Sequence, residues 1–189
     1  VANTTIISQE EKFLGEYFEE LKGYGLVKEI VYQPDPFILS DAVEVELYKQ
    51  LKTKKSYRFK TVMPQHIYTA DFKITWTGPN MFHKDFKHQG IQQFPTFFSH
   101  NRVSWIECKG IWDLQNMTRI FVQRTQPWVY QKYGIYINLI KVPDIFKNTF
   151  VPARVLPNLY YKMATAKNQK GDKKFKWEYK SFLDYYIKD

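Results

Sequence analysis

The chain reads as an α/β protein in which a helix, several strands, a second helix and a further strand follow one another. Three observations predict this. An apolar stripe at helical spacing opens the chain, β-rich runs bounded by Gly and Pro fill the region from Leu26 to Lys109, and a helical stretch after Asp113 leads through Gly134 into one more apolar run. With 189 residues the chain has the usual size of one domain and can bury a substantial core without metals or disulfides. A core over about residues 8–142 and a basic C-terminal extension over about 143–189 are expected.

Ser8-Gln9-Glu10-Glu11 is a capping-box start, with Ser8 as cap and Glu11 as its partner, and Phe13, Leu14, Tyr17, Phe18 and Leu21 form the buried stripe. Gly23 and Gly25 end the helix. Leu26 to Gln33 reads as a strand stopped by Pro34-Asp35-Pro36, with another extended piece at Phe37 to Leu39. Glu44 to Tyr57 is ambiguous: Val45, Leu47, Tyr48 and Leu51 fit a short helix, whereas Lys49, Lys52, Lys54 and Lys55 suit an exposed insertion. Tyr57 to Met63 and His66 to Trp76 are β-rich runs expected to pair as antiparallel neighbours. From Met81 to Asn101 no periodicity is visible, and a loop of that length implies a functional or flexible element.

The strand Trp105-Ile106-Glu107-Cys108-Lys109 follows, with Val103, Trp105, Glu107 and Lys109 on one face and Ile106 and Cys108 on the other. Asp113 can cap a helix through about Lys132, interrupted or kinked at Pro127, and Ile135 to Val142 is the next strand. Ser181 to Asp184 is a second capping box opening a short terminal helix.

A formal charge of +9, with 18% aromatic residues, points to a folded protein facing a polyanion such as DNA or RNA. Lys167, Lys170, Lys173, Lys174 and Lys176 surround Phe175 and Trp177, and the lysines together with Trp177 form a candidate phosphate- and base-contacting cluster. The competing account of this cluster is a solvated, lysine-rich hairpin. One cysteine allows neither an intrachain disulfide nor a multi-thiolate zinc site, which points to a reducing compartment, and a cytoplasmic location is expected. Neither a signal peptide nor a membrane segment is expected, and no glycine-rich nucleotide loop is present.

Why a strand should carry both Glu107 and Lys109 is the central chemical question. A surface ion pair on a sheet edge is the simplest account of an isolated E-x-K. Asp71, however, interrupts the apolar run Tyr68 to Trp76, and a lone carboxylate there is costly unless it shares a cation. Asp71 and Glu107 together suit Mg²⁺, which takes one or two carboxylates and keeps water and substrate phosphate as its other ligands. Lys109 can then orient or deprotonate an attacking water and neutralise the transition state of phosphodiester hydrolysis.

Asp71 with Glu107-Cys108-Lys109 resembles the signature of the PD-(D/E)xK nuclease superfamily. The match of Ser8 and Glu11, Tyr68 to Phe72, and Glu107 to Trp112 is closest to the phage endonuclease I family of Holliday-junction-resolving enzymes. Ala70 stands where that family usually has proline, and the segment between Phe72 and Trp105 is longer than the connection in phage resolvases. The resemblance implies a restriction-endonuclease-like α-β-β-β-α-β core, a mixed sheet flanked by helices. It implies a Mg²⁺-dependent endodeoxyribonuclease selective for branched DNA, with Mn²⁺ as a substitute metal and no nucleotide cofactor. It also implies that Glu11, Asp71, Glu107 and Lys109 are catalytic, with Glu11, Asp71, Glu107 and the main-chain carbonyl of Cys108 around the metal. A homodimer is expected, because opposed nicks need two sites. Transposon-end-cleaving and restriction-like endonucleases share the chemistry, the former also a Q-P step like Gln33-Pro34; a binding module that lost catalysis is the third class.

The simpler readings stay beside these. Glu11 can serve only its cap, Gln33 fits a buried amide, and Cys108 faces away from Glu107 as a core residue. His66, His83, His88 and His100 lack zinc-pair spacing and are expected on the surface or facing DNA.

Overall fold

Helix α1 (Gln9–Gly23) begins where the sequence places it: Ser8 is the N-cap, and its hydroxyl accepts from the Glu11 backbone N–H at 3.2 Å. The helix sends Leu14, Tyr17, Phe18 and Leu21, all fully buried, into the core. Removing each such side chain from water contributes about 1.5–3 kcal/mol. The computed structural model describes residues 8–78, 101–109, 117–156 and 180–186. The lysine and tryptophan cluster of 167–177, the loop of 81–100, Asp113, His83, His88 and His100 lie outside the described residues.

Among the described residues eight strands follow α1: β1 (Val27–Tyr32), β2 (Phe37–Ser40), β3 (Val43–Gln50), β4 (Lys55–Met63), β5 (His66–Tyr68), β6 (Phe72–Trp76), β7 (Val103–Lys109) and β8 (Ile137–Lys141). Four of them form the main sheet in the order β1-β6-β7-β8. β1 and β7 both run antiparallel to β6, while β8 runs parallel to β7, so the sheet is mixed and the protein is α/β. A parallel pair needs a crossover connection. Helical residues supply it: α2 (Met117–Ile120), a π-helical turn (Phe121–Thr125) and α3 (Gln126–Tyr133) follow one another without a break. Pro127 cannot donate to the helix ladder, and the wide turn just before it accommodates that loss. Gly134, at φ +66°, closes α3 in the left-handed conformation that glycine adopts without strain.

Both faces of the sheet are covered. On one, Phe72, Ile74, Ile106 and Cys108 pack against α1, joined by Ile145 and Phe146 of α4 (Val142–Asn148), by Phe150, Val151 and Val155, and by Phe182 of α5 (Phe182–Tyr186). Residues beyond 142, expected as a basic extension, thus contribute to the same core. α5 opens with the expected box, the Asp184 carboxylate accepting from the Ser181 hydroxyl at 2.6 Å. On the other face Phe37, Leu39, Phe121, Val129 and Ile137 form a second cluster that joins β2 and the helices to the sheet. Tyr133 fastens β2 to α3, its hydroxyl accepting from Ile38 N–H at 3.1 Å and donating to Ile38 C=O at 2.8 Å. No helix among the described residues is long and apolar enough to cross a membrane.

Three expectations for the middle of the chain are corrected. The ambiguous segment is neither helix nor plain connection: β3 and β4 pair with each other as a hairpin whose turn is closed by Leu51 N–H donating to Lys54 C=O at 2.9 Å. Second, β4 does not neighbour the following strand, because its partner is β3. Third, His66 to Trp76 is not one strand. It breaks at Thr69-Ala70-Asp71 into β5, which pairs with β2, and β6, which pairs with β1 and β7. Asp71 therefore sits at the bend before a central strand, just beyond the last paired residue Phe72.

Candidate active site

The ladder between β6 and β7 ends at the pair Phe72 and Ile106, one residue short of Asp71 and Glu107. Asp71 continues it in two ways: its N–H donates to Ile106 C=O at 3.0 Å, and its Oδ2 accepts from Cys108 N–H at 2.6 Å. Its own carbonyl accepts from Gln33 N–H at 2.9 Å. Gln33 is exposed at φ +43°, so the buried amide expected at this position is not found. Its backbone serves the site by fixing the bend that carries Asp71.

Glu107 lies on β7, an interior strand between β6 and β8, and only 8% of its surface is exposed. The solvated-edge account of the E-x-K pair does not describe this position. Lys109, two residues on and on the same face, places Nζ 2.7 Å from Glu107 Oε1. Tyr68, the last residue of β5, donates its hydroxyl to Oε2 at 2.7 Å. Both carboxylate oxygens are engaged by donors, which is what a nearly buried charge requires.

Tyr68 is the residue of this cluster to which sequence reasoning gave no role. It stands three residues before Asp71 inside the matched Y-T-x-D-F stretch, yet only the break between β5 and β6 turns it toward Glu107. Burial, the Glu107 charge, its hydrogen bond to Glu107 and Asp71 all hold the phenol well above its ordinary value, so it remains a donor.

Asp71 is electrostatically unlike a surface aspartate. Burial first, then the Glu107 charge and the more distant Glu11 charge, push it up to about 7, against the opposing effects of the Cys108 N–H and Lys109. Glu11 thus reaches the site through its field from the first turn of α1, while its Oε1 accepts from the Ser8 hydroxyl at 2.7 Å. Its capping role is real, and its charge is felt at Asp71. Cys108 lies in the core as expected, and burial followed by Asp71, Glu11, Glu10 and Glu107 pushes its thiol far up, away from nucleophilic use.

Three carboxylates bias one small region toward negative charge, and two of them raise the proton affinity of the third. Such a donor set of hard oxygens suits a divalent cation of the Mg²⁺ kind. As the side chains stand, no group of three or more His, Cys, Asp or Glu among the described residues is gathered closely enough to hold a metal ion. Asp71 is turned onto the Cys108 amide and Glu107 onto Lys109 and Tyr68. His66 is exposed, as expected, and stacks on Trp128 with ring centroids 5.4 Å apart.

No family model, no curated protein and no solved structure matches this chain.

Proposed function

We propose that this chain is a Mg²⁺-dependent endodeoxyribonuclease of the PD-(D/E)xK kind, selective for branched DNA. The observation that carries the proposal is the junction of β6 and β7: a half-buried aspartate with raised proton affinity opposite a nearly buried glutamate that holds a lysine. Two carboxylates placed this close raise each other's cost of ionisation, and a shared divalent cation would offset that cost. A restriction-endonuclease-like core is supported by element order. With the excursion from β2 to β5 set aside, the chain runs α1, β1, β6, β7, helices, β8, and these strands are adjacent in that sequence.

In this proposal Asp71 and Glu107 hold the cation, aided by Glu11 and the main-chain carbonyl of Cys108. When bound, the cation supplies charge neutralisation at the phosphate and a lowered pKa for attacking water. The chain's own residues do the rest. Lys109 orients the water and offsets charge on the phosphoryl oxygens as the P–O ester bond breaks. Tyr68 keeps Glu107 aimed, and the Cys108 N–H keeps Asp71 at the strand end. A homodimer completes the proposal, since opposed nicks in a junction need two sites related by a two-fold axis.

A binding module without catalysis is the competing reading, and the neutralisation of Glu107 by Lys109 and Tyr68 is what favours it. Purified protein with Mg²⁺ against a four-way junction, a linear duplex and a single strand decides. Cleavage of the junction by the wild type, lost in Glu107→Gln, is the expected result. Binding of all three DNAs with no product at any Mg²⁺ concentration would leave the module.

A further inference from the structure

Among the described residues the β3–β4 hairpin supplies none to either core cluster, and its strands join no other sheet. Within them it stands apart as a ribbon roughly 30 Å long at about 3.3 Å per residue. An isolated two-stranded ribbon is marginal in water unless its side chains brace it. The two faces divide that work. On one, Tyr48 sits opposite Tyr57 with ring centroids 5.5 Å apart, Lys55 Nζ lies 5.7 Å from the Tyr48 ring centre, and Thr61 donates to Glu44 at 3.2 Å. On the other, the pairs are Val45 with Lys60, Leu47 with Arg58 and Lys49 with Ser56, and the three cations of that face are exposed. Lys52 and Lys54 add positive charge at the turn.

We propose that the β3–β4 ribbon is a duplex-DNA-binding arm, which lays its Lys49, Arg58 and Lys60 face along the phosphates of a groove. The argument is one of shape and charge. A two-stranded ribbon fits the major groove, and its braced opposite face leaves the cationic face free for phosphate. The arm is also wired to the site: it leaves the molecule between β2 and β5, and β5 ends at Tyr68, which is bonded to Glu107 at 2.7 Å. DNA gripped by the arm is held by a ribbon that leads directly into β5, whose Tyr68 is bonded to Glu107. This inference rests on the nuclease reading for its choice of duplex DNA as partner.

The test measures binding of a 30-base-pair duplex in Ca²⁺ across a salt series, for wild type and for K49A/R58A/K60A, alongside junction cleavage in Mg²⁺. The triple variant is expected to weaken binding about tenfold or more near 0.1 M salt and to reduce the slope of log K against log salt by about 3. Its turnover at saturating DNA is expected to match wild type. The charge-preserving K49R/R58K/K60R is expected to keep the slope, and if it fails as badly as the alanine variant, damage to the ribbon rather than charge is responsible and the proposal is overturned. Wild-type cleavage with unchanged binding in the alanine variant sinks the arm and leaves the nuclease. Arm-dependent binding without cleavage sinks the nuclease and leaves the arm. Wild type that binds no DNA overturns both. A shift from dimer to monomer in sedimentation, with the salt slope intact, would assign this face to a second copy of the chain instead.

Discussion

Tyr68 donates its hydroxyl to Oε2 of Glu107 at 2.7 Å, so a short strand outside the main sheet holds a carboxylate in that sheet's interior. Tyr68→Phe keeps the ring packing against Phe37 and Phe121 and removes only this bond. Leaving a buried acceptor short of a donor costs about 1–3 kcal/mol, so the variant is expected to unfold at lower denaturant with an unchanged m-value. Under the proposed function cleavage should fall through kcat, because Glu107 loses its aim while the cationic face of the β3–β4 ribbon is untouched. Equal stability to wild type would show that water replaces the hydroxyl without loss.

Lys109 and Glu107 form a pair whose side chains are 18% and 10% exposed. Lys109→Ala strands the glutamate, with an expected loss of about 1–3 kcal/mol, below the range for fully buried pairs because some water reaches both groups. Cleavage is expected to disappear while DNA affinity in Ca²⁺ stays within a few-fold. Wild-type turnover in the Lys109 variant would remove the lysine from the chemistry. A double-mutant cycle with Glu107→Gln separates the pair from its parts, and the coupling should be favourable.

Asp71 predicts a pH signature. Its value in the folded protein lies at about 7, above the ordinary 3.8, so the native state keeps a proton that the unfolded chain has already released. The sign follows from linkage: this contribution to stability is fully present below about pH 4 and is lost as pH rises through about 7. Asp71→Asn retains an acceptor for the Cys108 N–H and carries no charge. It should be more stable than wild type by about 1–2 kcal/mol at pH 8, with the gap closing toward acid pH. Under the proposed function Mg²⁺ competes with the same proton, so the melting shift it produces in wild type should shrink below pH 7 and vanish in Asp71→Asn. Denaturation curves from pH 4 to 9, with and without Mg²⁺, measure both effects.

Glu11 separates structure from field. Glutamine can still accept from Ser8, so Glu11→Gln should change the melting temperature by no more than a degree or two, an effect of about 0.5 kcal/mol. Removing the charge also removes one of the influences that raise Asp71. The pH midpoint of the Asp71-linked stability change is therefore expected to move down, and Mg²⁺-dependent cleavage to fall at least tenfold. An unmoved midpoint together with full activity would return Glu11 to the cap alone.

The local chemistry of this protein is written in its sequence. Ser8 and Glu11 start α1, the spacing of Leu14, Tyr17, Phe18 and Leu21 fixes its buried face, Gly134 ends α3, and Ser181 with Asp184 starts α5, because caps and periodicities act over a few residues and need no distant partner. Alternation likewise sets Glu107 and Lys109 on one face of β7 and Cys108 on the other. Strand partnership was not legible. β4, β5 and β6 are similar β-rich runs, and which one pairs with β3, β2 or β1 depends on contacts across tens of residues that composition does not encode. Only tertiary structure could place β7 in the interior of the sheet, bring Tyr68 onto Glu107 and set Asp71 against the Cys108 amide. Those placements carry Glu107 from the sheet edge that an E-x-K pair ordinarily suggests to a site where water is scarce, and there burial raises the proton affinity of Asp71.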